Sequence, residues 1–151
     1  MGYYSDVLLS VAVPKHFADT LLNAYRILPA TAEHKCLRNW KRADYGDVTI
    51  FWAEFHNVKW YEEYKDVASF EAMFELCQTL SEAGDFIASS LKIRLGESSD
   101  DNHYEDHVYF GDVDDEDKVQ PLANALVERF SWTRRLNIDC DGEPLEQGDD
   151  E

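Results

Sequence analysis

No apolar run in this chain approaches the roughly 20 residues that a membrane-spanning helix needs. The opening Met1-Gly2-Tyr3-Tyr4-Ser5-Asp6 carries no positive side chain, and the apolar stretch behind it stops at Pro14-Lys15. That stretch is too short and wrongly flanked for a signal peptide, and Gly2 lacks the Ser or Thr of a myristoylation signal. The expectation is a cytoplasmic protein without a membrane partner. Cysteine is scarce as well: Cys36, Cys77 and Cys140 match no zinc or redox spacing, and their odd number argues for reduced thiols. There is no Gly-rich phosphate loop, no nucleophile elbow and no HExxH pair, so no cofactor is expected.

Positive charge is also in short supply. Against 31 Asp and Glu stand only 14 Lys and Arg, a net charge of −17 in 151 residues. The imbalance is local. Ten carboxylates fall in residues 97–117 and seven in 139–151, and neither block contains a Lys or Arg, so the rest of the chain is formally neutral. Charge gathered in two blocks makes a local field, whereas scattered charge mainly aids solubility. The first block fails as a calcium loop, because no window sets acidic residues, Gly and Glu in EF-hand order. His103 and His107 are four apart within it, a metal-binding spacing only on a helix, and their surroundings read as loop or strand.

What remains has the periodicities of a folded domain, and the chain as a whole is 44% hydrophobic. In residues 5–13, Val7, Leu9, Val11 and Val13 alternate with Leu8, Ser10 and Ala12, which predicts a strand. Pro14 opens a helix marked by Phe17, Leu21, Tyr25 and Leu28, and Pro29 ends it. Residues 30–45 read as a polar connection holding the basic cluster His34, Lys35, Arg38, Lys41 and Arg42. Residues 47–55 form a second strand, and a turn at His56-Asn57 predicts a hairpin with 58–61. Asp66 is placed as the N-cap of a helix striped by Val67, Phe70, Met73, Phe74, Cys77 and Leu80, with Gly84 beyond its end.

Residues 86–95 return as a strand. The order βαββαβ predicts an α+β protein with a ferredoxin-like core, four antiparallel strands with two helices on one face. The added parts are the acidic segment with a short strand at 107–110, a third helix at 117–130 and a C-terminal strand at 132–138. One domain then spans 1–138, and 139–151 is expected to be an unstructured acidic tail. The helix-free sheet face is expected to carry Phe51, Phe55 and Trp132, covered either by the C-terminal elements or by a second copy in a homodimer.

Three short stretches, Met1-Gly2-Tyr3-Tyr4-Ser5-Asp6-Val7, Val58-Lys59-Trp60-Tyr61 and Ile93-Arg94-Leu95-Gly96-Glu97, carry a resemblance. Across residues 1–100 the chain resembles small uncharacterised bacteriophage-type proteins that open Met-Gly-Tyr-x-Ser-Asp-Val and later carry Lys-Trp-Tyr and Arg-x-Gly-Glu. The resemblance implies a phage-like origin and agrees with the ferredoxin-like core. It implies no activity.

Two sets of side chains are candidates for function. Asp100, Asp101, Glu105, Asp106, Asp112, Asp114, Asp115 and Glu116 offer an acidic surface to a basic partner protein. In a phage setting that partner is a host defence or transcription factor whose nucleic-acid-binding surface the carboxylates occupy as a DNA mimic, so that the chain acts as an inhibitor, for example of host defence. Direct nucleic-acid binding is disfavoured, since phosphates repel such a chain. The plainer reading is that the acidic residues only keep the protein soluble. The alternative function is a small-molecule or enzymatic pocket between the hairpin and the strand ending at Arg94. There Trp52 and Trp60 would stack on a ring, Lys59 and Arg94 would hold an anion, and Glu54 and Glu97 would line the rim. The competing reading makes the tryptophans core and the charges a cross-strand ladder. No nucleophile–base pair stands out, so the reading leans away from an enzyme.

Overall fold

β1 (Ser5–Pro14) carries apolar side chains on both faces, and such a strand suits only a position covered on both sides. The computed structural model describes residues 5–58, 64–96, 103–111, 116–132, 136–138 and 141–145, and it places β1 at the centre of the protein. β1 pairs antiparallel with β3 (Val48–Val58) on one side and β4 (Ala88–Leu95) on the other. β2 (Trp40–Tyr45) lies outside β3, and β5 (His103–Phe110) lies outside β4. β6 (Phe130–Trp132) and β7 (Leu136–Ile138) form a separate antiparallel pair. A two-residue strand, β8 (Glu143–Pro144), joins β2, so the sheet order is β5-β4-β1-β3-β2-β8.

Helices cover both faces. Val7, Leu9, Val11 and Val13 of β1 meet α1 (Lys15–Arg26) and α3 (Lys65–Ala83) through Ala18, Leu21, Tyr25, Phe70, Met73 and Cys77. Leu8 and Ala12 face the other way and pack, with Ile50, Trp52, Leu91 and Ile93, beneath α4 (Glu116–Arg129). From α4 come Val119, Leu122, Ala125 and Leu126, joined by Phe130. A short α2 (Pro29–Glu33) and a 3₁₀ turn at Cys36–Arg38 connect α1 to β2.

The chain is therefore α+β, as expected, but its sheet is larger than a bare βαββαβ unit, with β5 and β8 added at the two edges. The expected face for Phe51 and Phe55 is corrected. Phe51 pairs with Val11 and Phe55 with Val7, which places both on the α1–α3 face, where Phe55 meets Phe70 at 4.8 Å between ring centroids. The opposite face is covered by α4 of the same chain.

The hairpin is also relocated. β3 continues through His56-Asn57, where its register with β1 shifts and Asn57 takes φ +56°, and its hairpin partner is β2, within the stretch expected to be a connection. The two-residue loop Gly46-Asp47 joins them, with Gly46 at φ +60°, the Gly-first arrangement that suits the twist of paired strands. Residues 59–61 lie outside the described residues. The single strand expected at 132–138 is instead the end of β6 and the whole of β7. In the segment expected to be unstructured, residues 141–145 lie against β2, and the rest of 139–151 is outside the described residues.

Candidate functional site

The two acidic blocks become the two borders of the sheet. β5, drawn from the first block, pairs along β4 from Ala88↔Phe110 to Arg94↔His103, with a register shift opposite Leu91. β8, drawn from the second, is the opposite outermost strand. Five inter-strand spacings separate them, roughly 24 Å. Glu105 and Asp106 lie on β5, with Glu105 in register with Lys92, and Glu116 is the first residue of α4. An acidic residue at that position also complements the positive end of the helix dipole. Asp100, Asp101, Asp112, Asp114 and Asp115 lie outside the described residues. His103 and His107 belong to a strand, where four residues span about 13 Å rather than one helical turn. Among the described residues no three His, Cys, Asp or Glu side chains could hold a metal ion.

The described members of the expected pocket do not converge. Trp52 is 1% exposed and packs beneath α4, its ring 5.7 Å from that of Phe130. Glu54 shares its face, because both pair with the Leu8–Ser10 side of β1. Arg94 pairs with Val7 and so projects to the α1–α3 face, with the sheet between it and Trp52. Lys59, Trp60 and Glu97 lie outside the described residues. Glu54 belongs instead to a surface cluster: it pairs with Lys41 at 3.7 Å and His56 at 3.1 Å, and His56 also meets Asp6 at 3.7 Å.

Two clefts were not legible in the sequence. One, of about 670 Å³, opens between Arg42–Tyr45 of β2 and Asp141–Glu143. The other, of about 780 Å³, lies where α1, the start of β3, the α3–β4 connection and α4 meet. Phe17, Val48, Ile87, Pro121 and Leu122 form its apolar walls, and His16, Asp47, Asp85 and Lys118 its polar lining. No short motif announces either, since each is assembled from distant segments.

The basic cluster is dispersed by the fold. Arg42 reaches Asp19 at 3.2 Å and Asp44 at 3.3 Å on one sheet face, while Lys41 points to the other. A hydrogen bond from Thr49 and the nearby Arg42 guanidinium hold the Asp44 carboxyl below its ordinary value.

Beneath α1 and α3 lies a buried polar chain: Trp40 Nε1 donates to the Tyr25 hydroxyl at 3.0 Å, which donates to the Ser69 carbonyl at 3.0 Å. Cys36 Sγ lies 3.1 Å from Ser69 Oγ. Burial, with the neighbouring Cys36, raises the Tyr25 hydroxyl far above its ordinary value. Burial alone pushes the Cys77 thiol up to about 12, consistent with a thiol that fills core space. No helix among the described residues is long and apolar enough to cross a membrane. Comparison with protein-family models, curated proteins and solved structures finds no match to the chain.

Proposed function

We propose that this chain is an acidic protein-interaction module that docks on a basic, nucleic-acid-binding surface of a partner protein. In the setting implied by the bacteriophage-type resemblance, it acts as an inhibitor of a host protein. The observation that carries this reading is the placement of charge: seventeen carboxylates in two blocks without a counter-charge, each supplying an outermost strand of the sheet. Glu105 and Asp106 of β5 and Glu143 of β8 belong to these borders, and concentrated negative charge is what a phosphate-binding surface attracts. Attraction of this kind speeds association and weakens with salt.

We also infer that β4-β1-β3-β2 with α1 and α3 forms a ferredoxin-like core to which β5, α4 and β8 were added. Two things support it: the connectivity strand, helix, two strands, helix, strand, and the antiparallel pairing of those four strands.

The test is capture of basic proteins from a host lysate by the intact chain and by variants with Glu105, Asp106 and Glu116, or the carboxylates of 139–151, changed to amides. Capture is expected to fall in each variant and at high salt. Tight capture that survives every change refutes the reading. A second reading, small-molecule binding, is favoured by the 780 Å³ cleft, whose size lies in the range of small-ligand sites. Ligand-induced thermal shifts abolished by Phe17→Ala or Leu122→Ala would support it; shifts unchanged in both would exclude that cleft.

A further inference from the structure

Residues 141–145 run along the outer edge of β2, and their register fixes which backbone groups meet. Arg42 lies opposite Glu143 and Lys41 opposite Pro144, and the Leu145 N–H donates to the Trp40 carbonyl at 3.0 Å. Backbone groups alternate in direction along a strand. Trp40, Arg42 and Asp44 therefore turn theirs outward to this edge, and Lys41, Ala43 and Tyr45 turn theirs toward β3. Pro144 sits where an N–H would have pointed away from β2, so it removes no ladder bond and blunts the far side of β8.

The side chains of this strap straddle the edge. Leu145, on the Trp40 face, packs into the α1–α3 cluster. Gly142, on the other face, lies against the six-membered ring of Trp52, where any Cβ would collide with Cζ2, Cη2 and Cζ3. β8 pairs only with Lys41 and Arg42, and beyond Glu143 the strap parts from β2 to leave the 670 Å³ cleft beside Asp44 and Tyr45.

We propose that the β2 edge is a strand-addition site for an extended segment of a partner protein with the pattern small–acidic–any–apolar, and that residues 142–145 are the chain's own copy of that ligand. The small residue clears Trp52, the acidic residue lies across from Arg42, and the apolar residue takes the place of Leu145. A longer segment also pairs with the outward groups of Asp44, which the strap does not reach. Main-chain bonds supply affinity in such sites, and the alternate side chains supply specificity. The tethered strap holds the edge at an effective concentration of roughly millimolar, so a free peptide enters once the strap is released. The strap is itself part of the second acidic border, but the site is the β2 edge beneath it and rests on register and packing rather than on the strap's charge.

The experiment uses the full-length chain, intact or carrying Leu145→Asp or Gly142→Val to release the strap, with circular dichroism to verify folding. A fluorescent peptide copying residues 141–147 is titrated and read by anisotropy. The peptide is expected to bind a released variant at least about tenfold more tightly than the intact chain. Methylating its leucine amide nitrogen should weaken binding about tenfold, the scale of one lost backbone hydrogen bond. Replacing its glycine by valine should weaken binding as well. A folded released variant that ignores the peptide, or that binds the methylated form equally, overturns the proposal. If neither variant folds, hydrogen exchange of the Leu145 amide in the intact chain decides. Faster exchange with excess peptide supports the site, and unchanged exchange overturns it.

Discussion

Replacing Tyr25 by Phe removes one oxygen on which two other buried groups depend. Tyr25 and Trp40 are both fully buried, and the tyrosine hydroxyl accepts from the Trp40 indole while donating to Ser69. Phenylalanine keeps the ring and its edge-on contact with Trp40, at 5.9 Å and 75°, so packing changes little. The Trp40 N–H is then orphaned, which costs about 1–3 kcal/mol. The Ser69 carbonyl, inside α3, keeps its helical partner and loses only a second bond, about 0.5–1.5 kcal/mol. Tyr25→Phe should therefore destabilise by about 2–4 kcal/mol. In a Trp40→Phe background no indole is left to orphan, and the same change should cost only about 1 kcal/mol. Urea unfolding of the four proteins, followed by circular dichroism, gives both values. A single-mutant loss below about 0.5 kcal/mol, or an equal loss in both backgrounds, refutes the reasoning.

Leu126→Ala, at a fully buried position of α4, should destabilise by about 2–5 kcal/mol in the same assay. A loss under about 1 kcal/mol would mean that α4 does not seal the sheet. Gly46→Ala forces φ +60° on a residue with a Cβ and should cost roughly 1–2 kcal/mol without altering peptide binding at the β2 edge. Burial raises the Cys77 thiol from 9.0 to about 12, so the unfolded chain releases this proton first as pH rises. Stability is then full below about pH 9 and falls above it by up to about 1.4 kcal/mol per unit toward pH 12. The buried Tyr25 adds a decline of the same sign above its ordinary value of 10.0. Cys77→Ala should flatten the pH 9–10 part of the curve, and an unchanged slope there would contradict the burial argument.

The central strand and the long helix were legible because their periods are simple. The alternation of Val7, Leu9, Val11 and Val13 with Leu8 and Ala12 matches the two faces of β1, and the Val67–Cys77 stripe matches the buried face of α3. β2 was not legible because strands near a sheet edge carry charge, here Lys41, Arg42 and Asp44, and so have the composition of loops. The two-residue signal Gly46-Asp47 was present but had no recognised strand before it. Placing Phe51 and Phe55 on the wrong face followed from lacking the register with β1, which decides face by parity. The same parity separates Trp52 from Arg94. The acidic blocks were visible as composition, but their becoming opposite borders depends on long-range pairing. The strap was hidden because Asp141-Gly142-Glu143-Pro144-Leu145 has the composition of a tail; only its contacts with Trp52 and Trp40 give Gly142 and Leu145 a role.

The most direct measurement is the salt dependence of the dissociation constant between the full-length chain and a basic protein it captures, with duplex DNA as competitor. Docking through the acidic borders predicts affinity that falls steeply with salt, is lost when both blocks are changed to amides, and is displaced by DNA. An affinity that ignores salt, survives the double neutralisation and tolerates bound DNA would contradict it.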